Sequence, residues 1–197
     1  MLPFSDASER NKEPIARVLM EALADSARVV EIGAGTGQHA VHFACRLPHL
    51  TWQPTDRAEC LPGLLARVAA EGPPNLMAPL ELDVARSDWA QFCADAFYTA
   101  NTLHIMSWPE VESLVQGIGR TLTKDGLLIV YGPFRYGGRF TSESNARFDQ
   151  ALRERDPLSG IRDIESVDAL AGAQSMVLEA DHRMPANNRL LIWRQHA

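Results

Sequence analysis

The chain has 197 residues, enough to bury a sizeable core without disulfide or metal staples. It is 46% hydrophobic and 22% charged, as an ordinary soluble globular protein is, and its formal net charge of −6 comes without the clustered Lys/Arg and interleaved aromatics of a nucleic-acid binder. Three cysteines with no C-x-x-C pair speak against a zinc site or a disulfide framework, and a polar start without any apolar run near twenty residues predicts a cytoplasmic protein with no signal peptide and no membrane span.

In chain order, Pro14 suits a first helical turn, and Ile15, Val18, Leu19 and Leu23 then share a helical face. Arg10, Asn11 and Lys12 are expected just before that helix. Residues 27–32 form a short β-branched strand that stops at Gly33-Ala34-Gly35-Thr36-Gly37. Val41, Ala44 and Cys45 mark the next helix, closed by Pro48. A second strand covers residues 50–54 and ends at Thr55-Asp56. Leu61, Leu64, Leu65 and Val68 give a helix ended by Gly72-Pro73-Pro74. A third strand runs through residues 78–83, a short helix holds Trp89, Phe92 and Cys93, and a fourth strand lies within residues 96–105. Ser107-Trp108-Pro109-Glu110 has the form of a capping box, and Val111, Leu114, Val115, Ile118 and Leu122 continue with a helical period. After Asp125-Gly126, residues 127–131 make a fifth strand.

Strands alternating with amphipathic helices imply a parallel sheet covered on both faces. The tail is different. Residues 176–180 and 190–193 are strands too close together for a helical crossover, so they should pair antiparallel. The predicted fold is therefore α/β: seven strands, mostly parallel, the last antiparallel, in one domain spanning 1–197. Residues 135–172 read as an insertion over the sheet's carboxyl edge, with helices at 144–154 and 164–171, that forms part of an acceptor site.

The glycine loop after the first strand lets a ligand approach the backbone and the free N–H groups of the next helix. A dinucleotide fingerprint, G-x-G-x-x-G, would put its third glycine at position 38, which is Gln38; glycine stands at 37 instead. Asp56, 23 residues beyond Gly33, can accept hydrogen bonds from a ribose. The arrangement E-x-G-x-G-x-G over residues 31–37 resembles class I S-adenosylmethionine-dependent methyltransferases. That resemblance implies a Rossmann-like methyltransferase fold and a donor site on Glu31, Gly33, Ala34, Gly35, Thr36, Gly37 and Asp56. It also implies that Asp83, at the end of the third strand, contacts the adenine amino group.

Further segments resemble one family of small methyltransferase-like proteins, that of methyltransferase-like 26. They include Ser8-Glu9-Arg10-Asn11-Lys12-Glu13-Pro14-Ile15, Trp52-Gln53-Pro54-Thr55-Asp56, Ala100-Asn101-Thr102-Leu103-His104-Ile105, Tyr131-Gly132-Pro133-Phe134 and Met184-Pro185-Ala186-Asn187-Asn188, with residues 140–145, Phe148-Asp149 and 160–163. The resemblance supplies a methyl donor and no acceptor; without nucleic-acid or membrane signals, a small-molecule acceptor is expected.

Methyl transfer from a sulfonium releases a neutral thioether, so no general acid is required and positioning carries much of the rate. His104, after the fourth strand, is either a base that deprotonates the acceptor or a hydrogen-bonded structural histidine. Tyr131, at the end of the fifth strand, is the second candidate for the chemistry, in an acceptor pocket with Phe134, Arg135, Thr141, Glu143, Ser144 and Asn145. Asn101 is assigned to the donor or to a strand end. Arg10 is assigned to the donor side, with an acceptor carboxylate or phosphate, or plain solvent, as alternatives. Gly137-Gly138 is a lid hinge or a surface turn. His39 and His42 lack a third ligand, so no metal is expected. An NAD-type oxidoreductase and a non-catalytic nucleoside-binding protein are the competing readings.

Overall fold

The computed structural model describes residues 2–86 and 88–196. A long first helix, α1 (Asp6–Ala22), leads into β1 (Arg28–Ile32), α2 (Gln38–Arg46), β2 (Thr51–Asp56) and α3 (Leu61–Glu71). A two-residue β3 (Leu80–Glu81) and a 3-10 turn (Trp89–Phe92) precede β4 (Ala94–Ala100), α4 (Trp108–Thr121) and β5 (Leu122–Gly132). The insertion contributes β6 (Phe134–Tyr136), β7 (Arg139–Phe140), α5 (Glu143–Arg155), β8 (Arg162–Asp163) and α6 (Ile164–Gly172). The chain closes with the hairpin β9 (Met176–Met184) and β10 (Asn188–Gln195).

Seven strands form the main sheet in the order β3-β2-β1-β4-β5-β10-β9. β1 to β5 run parallel, β10 runs antiparallel to β5, and β9 antiparallel to β10, so one strand opposes the other six. This is a Rossmann-like fold with the last strand antiparallel. The pleat explains its two cores. Along β5, Leu127, Ile129 and Tyr131 face one side and Leu128 and Val130 the other. The first set packs with Ile15 and Leu19 of α1, Phe43 of α2 and Trp52. The second packs with Phe97, Leu114 and Ile118 of α4, Val167 of α6 and Trp193. Strands so buried on both faces read as nearly continuous apolar runs, as those of a parallel sheet do.

Three local expectations need correction. α1 starts eight residues before Pro14, because Ser5 caps it: its side chain accepts from the N–H of Ser8, with Asp6 and Glu9 in the first turn. Arg10, Asn11 and Lys12 are consequently helical. The third strand shrinks to two exposed residues, and the third helix to a 3-10 turn. Gly137 and Gly138, at φ 55° and 75°, form the two-residue turn of the β6–β7 hairpin. Their N–H groups donate to Glu165 and Asp163 at 2.9 Å, which ties the turn down.

The capping box of α4 is present, with Ser107 and Glu110 exchanging bonds. On the same helix a Cβ at Gly117 would overlap the Trp89 indole, itself buried in the core. Gly117→Ala is expected to lower stability by about 1–3 kcal/mol, the usual cost of overpacking, despite alanine's better helix propensity. A urea melt checks this; an unchanged or raised midpoint would show that Trp89 moves aside freely.

Candidate functional site

The sheet order reverses between β1 and β4, and a crevice opens there outside the carboxyl ends of both strands. The structure places a cavity of about 500 Å³ at that point. Its floor is residues 31–36 at the end of β1, one wall is residues 100–102 and 104–106 at the end of β4, and the other is Asp56, Arg57 and Cys60 at the end of β2. Leu82, Asp83 and Val84 close the far end; Ser5, Ala7 and Ser8 of the α1 start, with Phe148 of α5, lie over it.

The loop is shaped by its glycines. Gly33, Gly35 and Gly37 all have positive φ, at 69°, 55° and 75°. A Cβ on Gly33 would stand 2.5 Å from the Thr102 methyl, so the two strand ends close up only with glycine there. Beside Gly35 the space is open. Its N–H donates to Asp56 Oδ2 at 2.7 Å, while Asp56 Oδ1 accepts from the Arg57 N–H at 2.8 Å. A carboxylate has about four acceptor sites, and besides these two backbone donors it meets the weak donor of the Cys60 thiol, so it can still accept from a ligand's hydroxyls. The Ala34 N–H donates to Thr55 O at 3.0 Å, which ties the loop to β2.

Beneath the loop, Glu31 is buried, and its Oε2 accepts from the Trp52 indole N–H at 2.8 Å. Burial pushes its carboxyl up to about 8 against the pull of Trp52, and the nearby Asp56 charge adds to the rise. Asn101 adopts φ 59°, a left-handed conformation asparagine tolerates, and donates its N–H to Tyr131 O at 2.9 Å. His104 is buried against Phe148, ring centroids 5.3 Å apart and nearly perpendicular. Burial, with the Arg162 and Arg155 charges behind it, lowers its imidazole to about 4. At neutral pH it is uncharged.

The cavity thus brings together Glu31, Gly33, Ala34, Gly35, Thr36, Asp56, Asp83, Asn101 and His104. Gly37 sits just behind, capping α2 against Leu64 and Arg67. Arg10 is exposed on α1 and does not line the cavity. Nor does Tyr131: its hydroxyl accepts from Asn188 Nδ2 at 3.0 Å and bonds Asn11, one layer below.

Sequence reasoning missed what α1 brings. Asn11 Oδ1 lies 2.6 Å from His39 Nε2, and His39 lines the cavity at the start of α2. Gln38 joins the same contact, accepting from the Ser5 N–H at 2.6 Å and donating to Glu9 at 3.2 Å. Buried Arg67 links Thr36 O to Pro3 O, both at 2.6 Å. The position of Gln38 and His39 in the first helical turn after a glycine loop was the available signal, because such residues face the carboxyl edge.

Residues 2–195 match the family described as "Protein of unknown function (DUF938)". Among solved structures, an O-methyltransferase family protein from Burkholderia thailandensis is similar at TM-score 0.82 and 17% identity, over 98% of this chain and 58% of that one. An O-methyltransferase family 2 protein from Planctomyces limnophilus, in complex with apigenin, gives 0.76 and 16%, over 91% and 61%. Human N-acetylserotonin methyltransferase in complex with SAM gives 0.73 and 14%, over 100% and 61%. The chain thus spans about three fifths of the length of each. At these identities the likeness shows the fold alone. Among the described residues no helix is long and apolar enough to cross a membrane.

Proposed function

The chain belongs to the DUF938 family, and we propose that it is an S-adenosylmethionine-dependent methyltransferase acting on a small-molecule acceptor. The observation that carries this reading is the cavity at the β1–β4 switch point, where open space beside Gly35 meets the Asp56 carboxylate. The shared fold with O-methyltransferases, one of them in complex with SAM, supports it. So do the segments resembling the methyltransferase-like 26 family, which include the part of α1 that carries Asn11.

Methyl donation at a sulfonium is the chemistry the donor supplies when bound. The chain's residues do the rest. Asp56 binds the ribose hydroxyls, Asp83 the adenine amino group, and the loop N–H groups and Glu31 the remaining polar atoms. Asn101 holds the strand end that aligns the β4 wall. Ile105, Met106 and Phe148 line the outer part and exclude water from an acceptor. His104 takes the acceptor's proton; its low pKa keeps it in the base form throughout the neutral range. Tyr131 acts through Asn11 and is a positioning residue, and Arg10 has no assigned contact.

The test of the donor is calorimetric titration with S-adenosylmethionine, S-adenosylhomocysteine and NAD. Heat from the sulfur nucleosides and none from NAD is expected; the reverse would overturn the assignment. For the base, His104→Ala is expected to lower kcat on a hydroxyl acceptor by about a hundredfold or more. The wild-type rate should hold steady from neutral pH down to about 5 and fall as pH approaches 4, where His104 takes up its proton. A variant with wild-type rate and the same acid limb would remove His104 from the mechanism.

A further inference from the structure

Three arginines meet in a second cavity, of about 580 Å³, farther along the carboxyl edge of the main sheet. Arg139 comes from β7; Arg183 and Arg189 come from the β9–β10 hairpin, where Arg189 pairs with Gly132 at the end of β5. Arg183 and Arg189 stand directly opposite each other across antiparallel strands. Like charges so placed are destabilising unless something neutralises them. Asp181 serves only one of them: its Oδ1 accepts from Arg189 Nε at 2.6 Å, and its Oδ2 accepts from the Tyr136 hydroxyl at 2.8 Å. Arg139 and Arg183 have no ion pair among the described residues.

The Arg189 guanidinium is also fixed over the Tyr136 ring, 5.4 Å from its centroid. It is therefore held in place with donors to spare, since a guanidinium has five and Asp181 engages two nitrogens. One ordered guanidinium, two without counter-ions and the side-chain amide of Asn188 line a single concavity. On a chain of net charge −6 this is a local reversal of sign. Forked guanidiniums match the oxygen geometry of carboxylates and phosphates.

We propose that this cavity binds the carboxylate or phosphate group of a small molecule on Arg139, Arg183 and Arg189. The anion belongs either to the methyl acceptor or to a separate ligand. Its binding is read without the methyl donor, so the outcome is independent of the donor assignment.

The experiment titrates the full chain with inorganic phosphate, pyrophosphate and citrate at constant ionic strength, with sodium chloride as the blank. Saturable binding is expected, weakened about tenfold or more in the Arg139→Gln/Arg183→Gln double variant. Both side chains are exposed and outside the first cavity, so the variant's thermal melt should match the wild type and reports folding. Absence of saturable anion binding by the wild type, or equal binding by the variant, overturns the proposal. A second arm offers labelled S-adenosylmethionine with a set of small carboxylic acids and phosphate esters. A methylated product whose KM rises in the double variant assigns the anion to the acceptor. Anion binding lost in the variant, with a methylated product whose KM is the same in variant and wild type, assigns it to a separate ligand.

Discussion

Asp56→Ala is expected to weaken S-adenosylhomocysteine binding by about a hundredfold or more. Two hydrogen bonds from ligand hydroxyls to a carboxylate are worth about 1.5–3 kcal/mol each, and every 1.4 kcal/mol is about tenfold. The same substitution frees the Gly35 N–H, now held at 2.7 Å, in a loop where three of five residues have positive φ. The variant therefore loses both a ligand contact and the anchor that shapes the loop. Asp56→Asn separates the two. Its amide oxygen can still accept from Gly35, while the charge is gone, so a loss of only about tenfold is expected. Calorimetry at fixed pH checks the series, with a thermal melt of each variant to show that the sheet is intact. Equal affinity for all three proteins would mean that the ribose is not on Asp56, even if the sulfur nucleoside binds elsewhere.

Much of this site could be read from the residues because it is built from chain-local rules. A β-branched strand that stops at glycines, and an acid that ends the next strand, place Gly33 to Gly37 and Asp56 before any fold is known. The two cores follow from the same pattern, since adjacent strand residues face opposite ways. That parity also bears on Tyr131: it shares a face with Leu127 and Ile129, hence with α1, and so lies under Asn11 and Asn188 outside the cavity. Other features depend on distant partners. β6, β7 and β8 are two or three residues long, too short to show a period. The opposition of Arg183 and Arg189 exists only in the register of a hairpin whose turn, Pro185–Asn187, puts Ala186 and Asn187 at positive φ. The closeness of Asn11 to His39 needs α1 packed on α2, and Pro14 drew the helix start away from the Ser5 cap.

Three buried groups near the cavity should give the folded state a stability maximum close to pH 6.5. Glu31 titrates near 8 in the folded protein, against a usual 4.5, because burial outweighs the Trp52 indole that favours its charged form and Asp56 adds a like charge. Between pH 4.5 and 8 the native state keeps a proton that the unfolded chain has released. Stability therefore falls as pH rises, by about 1.4 kcal/mol for each pH unit. His39 and His104 do the opposite. Burial lowers both to about 4 from a usual 6.5, and nearby cations deepen the effect: His42 and Lys12 for His39, Arg162 and Arg155 for His104. On acidification from 6.5 to about 4 the unfolded chain takes up two protons that the native state refuses, so stability falls about twice as steeply. From 6.5 down to 4.5 the Glu31 gain offsets half of that loss; above 6.5 only the Glu31 loss operates. Urea melts from pH 4 to 9 check the profile. Glu31→Gln keeps an acceptor for the Trp52 indole and cannot ionise, so it should match the wild type near pH 5 and exceed it by several kcal/mol at pH 8. A wild-type midpoint that stays level from 6.5 to 8, or a variant that falls in parallel with it, would show that Glu31 ionises at its usual pH, and with it that the floor of the cavity is wetter than its packing against Trp52 implies.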